Sequence, residues 1–476
     1  MTAASGTRIR HLREVHGLSQ AELARRLGLS ASYLNQIERD HRPLTTAVLL
    51  RLTESFGVDP TFFAAEDTPR LIAELQDALL DDAVGVRLSG GELADLAARH
   101  PEVARGLIGL RRRYRDVSAG QGLAELDPGR APGGDAGTVV APHELVRDFV
   151  YDHQNYFPVL DEAAESLATA LDLQPGDGRV AFARHLRDRH GVRVVQKPSD
   201  ASDGELRRFD ADAHTLQLAA QLRPGQQAFQ LATQIALLEH GGVLDELAAS
   251  DRRLAATPQA ARLARLGLAH YFAGAALMPY RRFLGLAREY RYDVERLGDL
   301  YRVGFEVVCH RLSTLQRPGL RGVPFSFVRV DRAGNISKRQ SASGLHFSRS
   351  GGTCPLWGVY DAFAAPGQVV RQVAEMPDGR RHLWIARTVA RKRSGFGTPA
   401  KTFALALGCE LRHAPALVYA DGLDLTDPSL AAPIGPGCRA CDRAACPQRA
   451  YPAAARLLTV DEDRTTFAAY PAGGAG

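Results

Sequence analysis

Apolar residues in the first 64 positions recur at helical spacing and are interrupted by short turn signals, which predicts a bundle of short helices over residues 7–64. Ser19 stands before one such stretch with Glu22 three residues on, the arrangement of a capping box. Gly28 falls where that helix must stop and turn, and Ser30 is placed to cap a second helix over 31–39. Leu23, Leu27, Leu34 and Ile37 lie where the two helices must pack. Helical periodicity continues over 68–125, as at Leu71, Leu75, Leu79 and Leu80. The stretch 127–137 (DPGRAPGGDAG) reads as a flexible linker because Pro and Gly dominate it. Residues 142–312 are predicted mostly helical, with one strand-like stretch at 192–196. The period then changes. FSFVRV (325–330), GQVVRQVAEM (367–376), RHLWIARTV (381–389) and TFALALG (402–408) read as strands between turns. A Gly/Ala-rich tail follows, and no internal repeat is present.

These elements divide 476 residues into several domains, since one core does not grow that large. The expected division is a helix-turn-helix domain at 1–66, a helical linker or dimerisation segment at 67–126, a flexible linker at 127–140, a ligand-binding domain at 141–320, a C-terminal sensory domain at 321–465 and a tail at 466–476. The fold class is multidomain and mainly α, with an α+β C-terminal region. No apolar run approaches the roughly 20 residues of a membrane span, and the N-terminal segment lacks the apolar core of a secretory signal, so a cytoplasmic protein without membrane contact is expected. A net charge of +5 permits nucleic-acid binding without arguing for it.

The candidate chemistry begins in the second helix. Its exposed face carries Ala31, Ser32, Tyr33, Asn35, Gln36 and Arg39. Asn and Gln pair bidentately with adenine, and Ser bonds several bases. Gln20, at the start of the preceding helix, is placed to bond a phosphate. The segment resembles the lambda-repressor-like (XRE) family across all five helices, including the trailing helix at 44–56 and Val58-Asp59-Pro60. That resemblance implies a five-helix DNA-binding domain and a double-stranded operator as partner.

Farther on, FQLATQIALLEH (229–240) and LAHYFAGAALMPY (268–280) resemble the ImmA/IrrE metallopeptidase-like family. There, two His at i and i+4 hold zinc, a Glu serves as general base, and a later helix gives an acidic ligand. The matching positions here are Thr233 and Leu237 for the His pair, Gln234 for the Glu and a position near Leu266 for the acid. None is an effective zinc ligand, so the expectation is a peptidase fold without peptidase chemistry and no enzyme. Glu239 and His240 are adjacent and do not share a helix face, so they read as a surface pair.

Cysteines carry the remaining signal. Cys438, Cys441 and Cys446 form C-x2-C-x4-C, three soft thiolates on one loop, with Pro447 after the last. Arg439, Arg443 and Arg449 flank them and would offset the charge of a thiolate-ligated centre. Cys409 is the first choice of fourth ligand and Cys354 the second; Cys309 reads as a core residue. A [4Fe–4S] cluster is expected, with structural zinc as the alternative. The succession 338–343 (KRQSAS), 351–357 (GGTCPLW), 376–379 (MPDG), 407–410 (LGCE), 418–422 (VYADG) and 437–449 resembles the short-chain fatty acyl transcriptional regulators of actinobacteria, over essentially the whole chain. The resemblance implies a short-chain acyl-CoA ligand, and it associates an iron–sulfur cluster with the cysteine-bearing domain. A homodimer or higher homo-oligomer is expected because operators for a helix-turn-helix are usually paired half-sites, with the helices at 68–125 placed to pair. Candidate ligand contacts are Arg184, Arg187, Arg207, Arg208, Tyr271 and Tyr280, because such a ligand needs cations for its phosphates and an apolar slot for its acyl chain. The alternatives are a zinc metallopeptidase acting on a repressor and a transcription factor with purely structural zinc.

Overall fold

In the computed structural model the caps read from the sequence form. Helix α1 (Gln20–Arg26) starts at Ser19, whose N–H donates to Glu22 at 2.7 Å while its Oγ accepts from the Glu22 N–H at 3.3 Å. Hydrogen bonding from the Ser19 side chain and then its backbone N–H holds the Glu22 carboxyl below its usual range. Gly28 turns the chain with φ +62°, a conformation L side chains rarely adopt. Helix α2 (Ala31–Glu38) follows, capped by Ser30 Oγ on the Tyr33 N–H at 3.1 Å. The structure describes residues 9–10, 13, 18–38, 42, 45, 48, 51–52, 68–79, 88, 90–111, 114, 142–197, 205–342, 353–391, 400–441, 443, 446–452 and 463.

The chain divides into two units. The first comprises 1–138, 344–353 and 436–476; the second comprises 139–343 and 354–435. In the first, Ile9, Leu23, Leu27, Leu34, Ile37, Val48 and Leu52 make one small core. Helices α3 (Thr68–Leu79) and α4 (Gly90–Arg99) and the helical stretch 101–111 make another, around Leu75, Leu93, Ala104 and Ile108.

The second unit is built on helices α5 (Pro142–Asp152), α6 (Pro158–Ala170), α7 (Gly178–His190), α8 (Pro224–Glu239) and α11 (Pro258–Leu277). The short helices α9 (Gly241–Ala249) and α10 (Arg252–Ala255) lie between the last two. Helix α11 buries a run of small residues, Ala269, Ala273, Gly274, Ala275 and Ala276, which lets its neighbours approach closely. Strands β1 (Arg193–Lys197), β2 (Arg207–Asp210) and β3 (Thr215–Ala219) form a sheet ordered β1-β3-β2. Only the first of these was expected.

After α12 (Tyr280–Glu289), α13 (Val294–Tyr301) and α14 (Phe305–Ser313) comes a second sheet, ordered β5-β4-β8-β7-β6-β9. Its strands are β4 (Ser326–Val330), β5 (Ile336–Ser341), β6 (Val370–Glu375), β7 (Arg381–Arg391), β8 (Lys401–Glu410) and β9 (Ala432–Pro433). Strand β8 lies between β4 and β7 and is buried from Ala404 to Cys409, which explains its unbroken apolar run. Gly408 pairs with Trp384 of β7, and a Cβ there would meet the indole at 2.4 Å.

Residues 141–320 and the sheet were expected as separate domains. They share one continuous core running from Leu145 to Ala420. The helices are tied by a buried ion pair. Arg311 of α14 donates to both Asp161 oxygens of α6 at 2.9 and 3.0 Å, with exposures of 2% and 0%. Tyr271 of α11 donates to the same carboxylate at 2.6 Å, and Arg311 Nε reaches the Met278 carbonyl at 3.0 Å.

Candidate functional site

The residues expected to read DNA lie on α2. Leu34 and Ile37 point into the core, while Ala31 and Ser32 are exposed and Tyr33, Asn35 and Gln36 half-buried. Arg39 lies outside the described residues. Gln20 does not stand free for a phosphate. Its amide nitrogen donates to Asn35 Oδ1 at 3.3 Å and to Glu38 Oε2 at 2.8 Å, which occupies both of its N–H groups. Glu38, which the sequence reading passed over, is buried and also accepts from Arg13 Nε at 2.8 Å. Gln20 thus ties α2 to α1 and holds the Asn35 side-chain oxygen. Gln36→Ala and Asn35→Ala are each expected to weaken specific binding by about 1–3 kcal/mol. Gln20→Ala is expected to relax preference at the base pair Asn35 reads. Titration of each variant against a panel of single-base operator changes checks this; unaltered preference would remove α2 as the reader.

In the second unit the peptidase position carries no zinc-binding set. Thr233 Oγ1 bonds back to the Phe229 carbonyl at 2.7 Å, Leu237 packs against the core, and Leu266 sits on the surface. Gln234 accepts at 2.6 Å from Arg207 of β2. Around this pair the side chains are basic. His270 of α11 packs on Phe229 with ring centroids 5.5 Å apart. Burial, with Lys338 and Arg207 adding, pushes its pKa down to about 4. His310 of α14 is pushed well below the ordinary range by burial and then by Lys338, Arg311 and His270. It contacts Gln340 at 3.1 Å. Burial holds Lys338 of β5 down to about 8, with Glu306 opposing and Arg329 adding. A zinc site surrounds its cation with anionic or neutral donors. Here Arg207 and Lys338 stand with two imidazoles instead, and the Glu306 carboxylate acts on Lys338.

The other expected ligand contacts scatter. Arg184 lines a cavity with His185 and Asp188; Arg187 pairs with Asp188 at 2.8 Å and Arg208 with Glu205 at 2.8 Å, both on the surface. Tyr271 and Tyr280 are core residues with hydroxyls already engaged, the first on Asp161 and the second on the Leu320 carbonyl at 2.9 Å. Glu239 and His240 are not a surface pair. Glu239 accepts from His185 and His190 of α7, while His240 lies 4.8 Å from the Phe272 ring.

The cysteine loop folds around an arginine. Cys438 and Cys441 are buried and Cys446 half-buried. Arg449, itself buried, donates to the carbonyls of Cys438 at 3.1 Å, Cys441 at 3.2 Å and Arg443 at 2.5 Å. Its Nε has no partner among the described residues. A guanidinium spent on carbonyls keeps its full charge beside the thiols, which suits a thiolate-ligated centre. Gln76 of α3 donates to the Ala440 carbonyl at 2.9 Å, so the loop packs on a helix of the first unit. Cys354 and Cys409 are buried and belong to the second unit, and Cys309 is a core residue.

A capped helix pair presenting a polar second helix, joined to a large region with a half-buried basic cluster, fits a DNA-binding transcription regulator. Family profiles match in the same order: Helix-turn-helix at residues 9–63, IrrE N-terminal-like domain at 187–313, and Short-chain fatty acyl coenzyme A regulator, C-terminal, at 314–470. The chain is 51% identical over 467 residues to the HTH-type transcriptional regulator RamB of Mycobacterium tuberculosis, covering 98% of each chain. It is 47% identical to PrpR of the same organism, covering 96% of this chain and 94% of that one. It is 42% identical to the propionyl-CoA carboxylase regulator of Cereibacter sphaeroides, covering 98% of each. A solved Mycobacterium tuberculosis transcriptional regulator aligns with TM-score 0.67 and 50% identity, over 69% of this chain and 99% of that one. The chain belongs to the RamB/PrpR family of HTH-type transcriptional regulators. No helix among the described residues is long and apolar enough to cross a membrane.

Proposed function

We propose that this regulator binds a short-chain acyl-CoA at the basic cluster of its second unit, and that binding tunes its affinity for operator DNA in the cytoplasm. The observation that carries the reading is the replacement of a zinc set by Arg207, Lys338, His270 and His310 around Gln234. The cations suit the phosphates of coenzyme A, and the half-buried Phe229 and Leu237 offer apolar surface to an acyl chain. The same replacement argues against peptide hydrolysis, which needs a metal-bound water and a general base. Arg207→Ala is expected to weaken propionyl-CoA binding by about 10- to 100-fold, since charge-assisted hydrogen bonds contribute roughly 1.5–3 kcal/mol. Binding is also expected to fall as pH rises through about 8, where Lys338 loses its proton. The slope reaches at most about tenfold per pH unit. Calorimetry across pH, with Lys338→Met alongside, checks both. A pH-independent affinity shared by wild type and variants would place the ligand elsewhere.

The loop at 438–446 is the proposed seat of an iron–sulfur centre. Cys438, Cys441 and Cys446 would hold it and Arg449 would offset its charge; the centre would supply sensitivity to oxidation. Native mass spectrometry of protein prepared without oxygen reports cluster and ligand together. A chain carrying zinc and no iron favours the structural-zinc reading instead.

The reading includes a homodimer, because operators of helix-turn-helix proteins are paired half-sites. Val103, Leu107, Leu110 and Tyr114 follow one another at four, three and four residues, a coiled-coil spacing. Val103, Leu110 and Tyr114 are more than half exposed. A second copy would cover this line. Leu110→Glu is expected to convert a sedimenting dimer to monomer; a wild-type monomer in sedimentation would contradict it.

A further inference from the structure

We propose that His185, His190 and Glu239 form a binding site for a divalent late transition metal ion such as Zn2+, displaced from the vacated peptidase position and held between the ends of α7 and α8. His185 Nε2 lies 2.6 Å and His190 Nε2 2.7 Å from the same oxygen, Glu239 Oε1. The three donor atoms lie within 4.8 Å of one another, and no other group of three His, Cys, Asp or Glu side chains among the described residues does this. All three side chains are half-buried, so their rotamers are held by packing. Zn–N and Zn–O bonds of about 2.0–2.2 Å set tetrahedral donors about 3.4 Å apart. The two His–Glu separations need to open by under about 1 Å to admit the ion, and the two imidazole nitrogens already lie within 4.8 Å of each other.

One further feature favours a cation: His190 is the last residue of α7, and the C-terminal end of that helix carries partial negative charge. Arg189 opposes: its Nε is 3.4 Å from Glu239 Oε1. That side chain is two-thirds exposed and can turn into solvent. His185 also lines a cavity of about 420 Å3 with Leu171, Ala181, Arg184, Asp188 and Arg189. A fourth coordination position facing that space would take water. Nothing at the site corresponds to the general base of a peptidase, so the ion would act as a clasp between two helices.

Zn2+ and Co2+ are the probes, on the full chain. Wild type is expected to bind one more equivalent of Zn2+ in calorimetry than His190→Ala or Glu239→Gln, or to bind that equivalent at least tenfold more tightly. Co2+ distinguishes this site from the cysteine loop, because thiolates give a sulfur-to-cobalt charge-transfer band and a His2Glu site gives only weak ligand-field bands. The variants should lose the second and keep the first. Circular dichroism without metal establishes that each variant is folded. A ligand-field component in wild type, not explained by the thiolate band, supports the site even where a variant does not fold. Its absence from wild type, or equal stoichiometry and affinity in folded variants, overturns the proposal.

Discussion

Asp161→Ala is expected to destabilise the second unit by about 3–5 kcal/mol, the range seen when one partner of a buried ion pair is removed. Arg311 would remain 2% exposed with a charge that nothing offsets. Tyr271 would lose its acceptor at the same time. The pair joins α6 to α14, and the Met278 carbonyl bonded by Arg311 lies just past the end of α11, so the loss is felt across the helical core. Since domains are stable by only about 5–15 kcal/mol, much of the protein should unfold at 37 °C. A double variant, Asp161→Leu with Arg311→Met, should recover most of the loss, because apolar replacement of both partners is often neutral. Urea midpoints at constant slope measure this. A single-variant effect below about 1 kcal/mol would show the pair to be dispensable.

Cys441→Ser is expected to remove bound iron and the brown colour of anaerobically purified protein, and to weaken operator binding. The link to DNA lies within the first unit. Gln76 of α3 is bonded to Ala440, one residue before Cys441, and Arg449 holds the loop through three carbonyls. Losing the centre should release the loop from α3, whose helical neighbourhood is the proposed dimer segment. Iron and sulfide content, read beside operator affinity, tests this. Full iron in the variant excludes Cys441 as a ligand; lost iron with unchanged affinity reduces the centre to a structural role.

Local rules carried the N-terminal reading: Ser19, Glu22, Gly28 and Ser30 act within a few residues of themselves, and the structure places each in its expected role. The apolar strands β4, β6, β7 and β8 were legible for the same reason. Strand β5 was not, because ISKRQS is an edge strand with a single apolar residue and needs no alternation. Strands β2 and β3 are only four and five residues long, and β2 is also an edge. The basic cluster was hidden for a different reason. Arg207, His270, His310 and Lys338 come from four elements, and each alone resembles an ordinary core or surface residue. His185 and Glu239 are 54 positions apart and meet only because α7 packs on α8. Gln20 was read as free because its partners, Asn35 and Glu38, lie on the next helix.

In the proposed regulation acyl-CoA and DNA each prefer one of two conformations, so that each changes affinity for the other. The direct measurement is operator affinity at fixed salt, with and without saturating propionyl-CoA, using an operator selected from random duplexes and free coenzyme A as control. The expected shift is roughly 5- to 150-fold, and Arg207→Ala removes it while leaving ligand-free affinity unchanged. Equal operator affinity with and without propionyl-CoA, in a wild-type protein that binds the ligand, would contradict it.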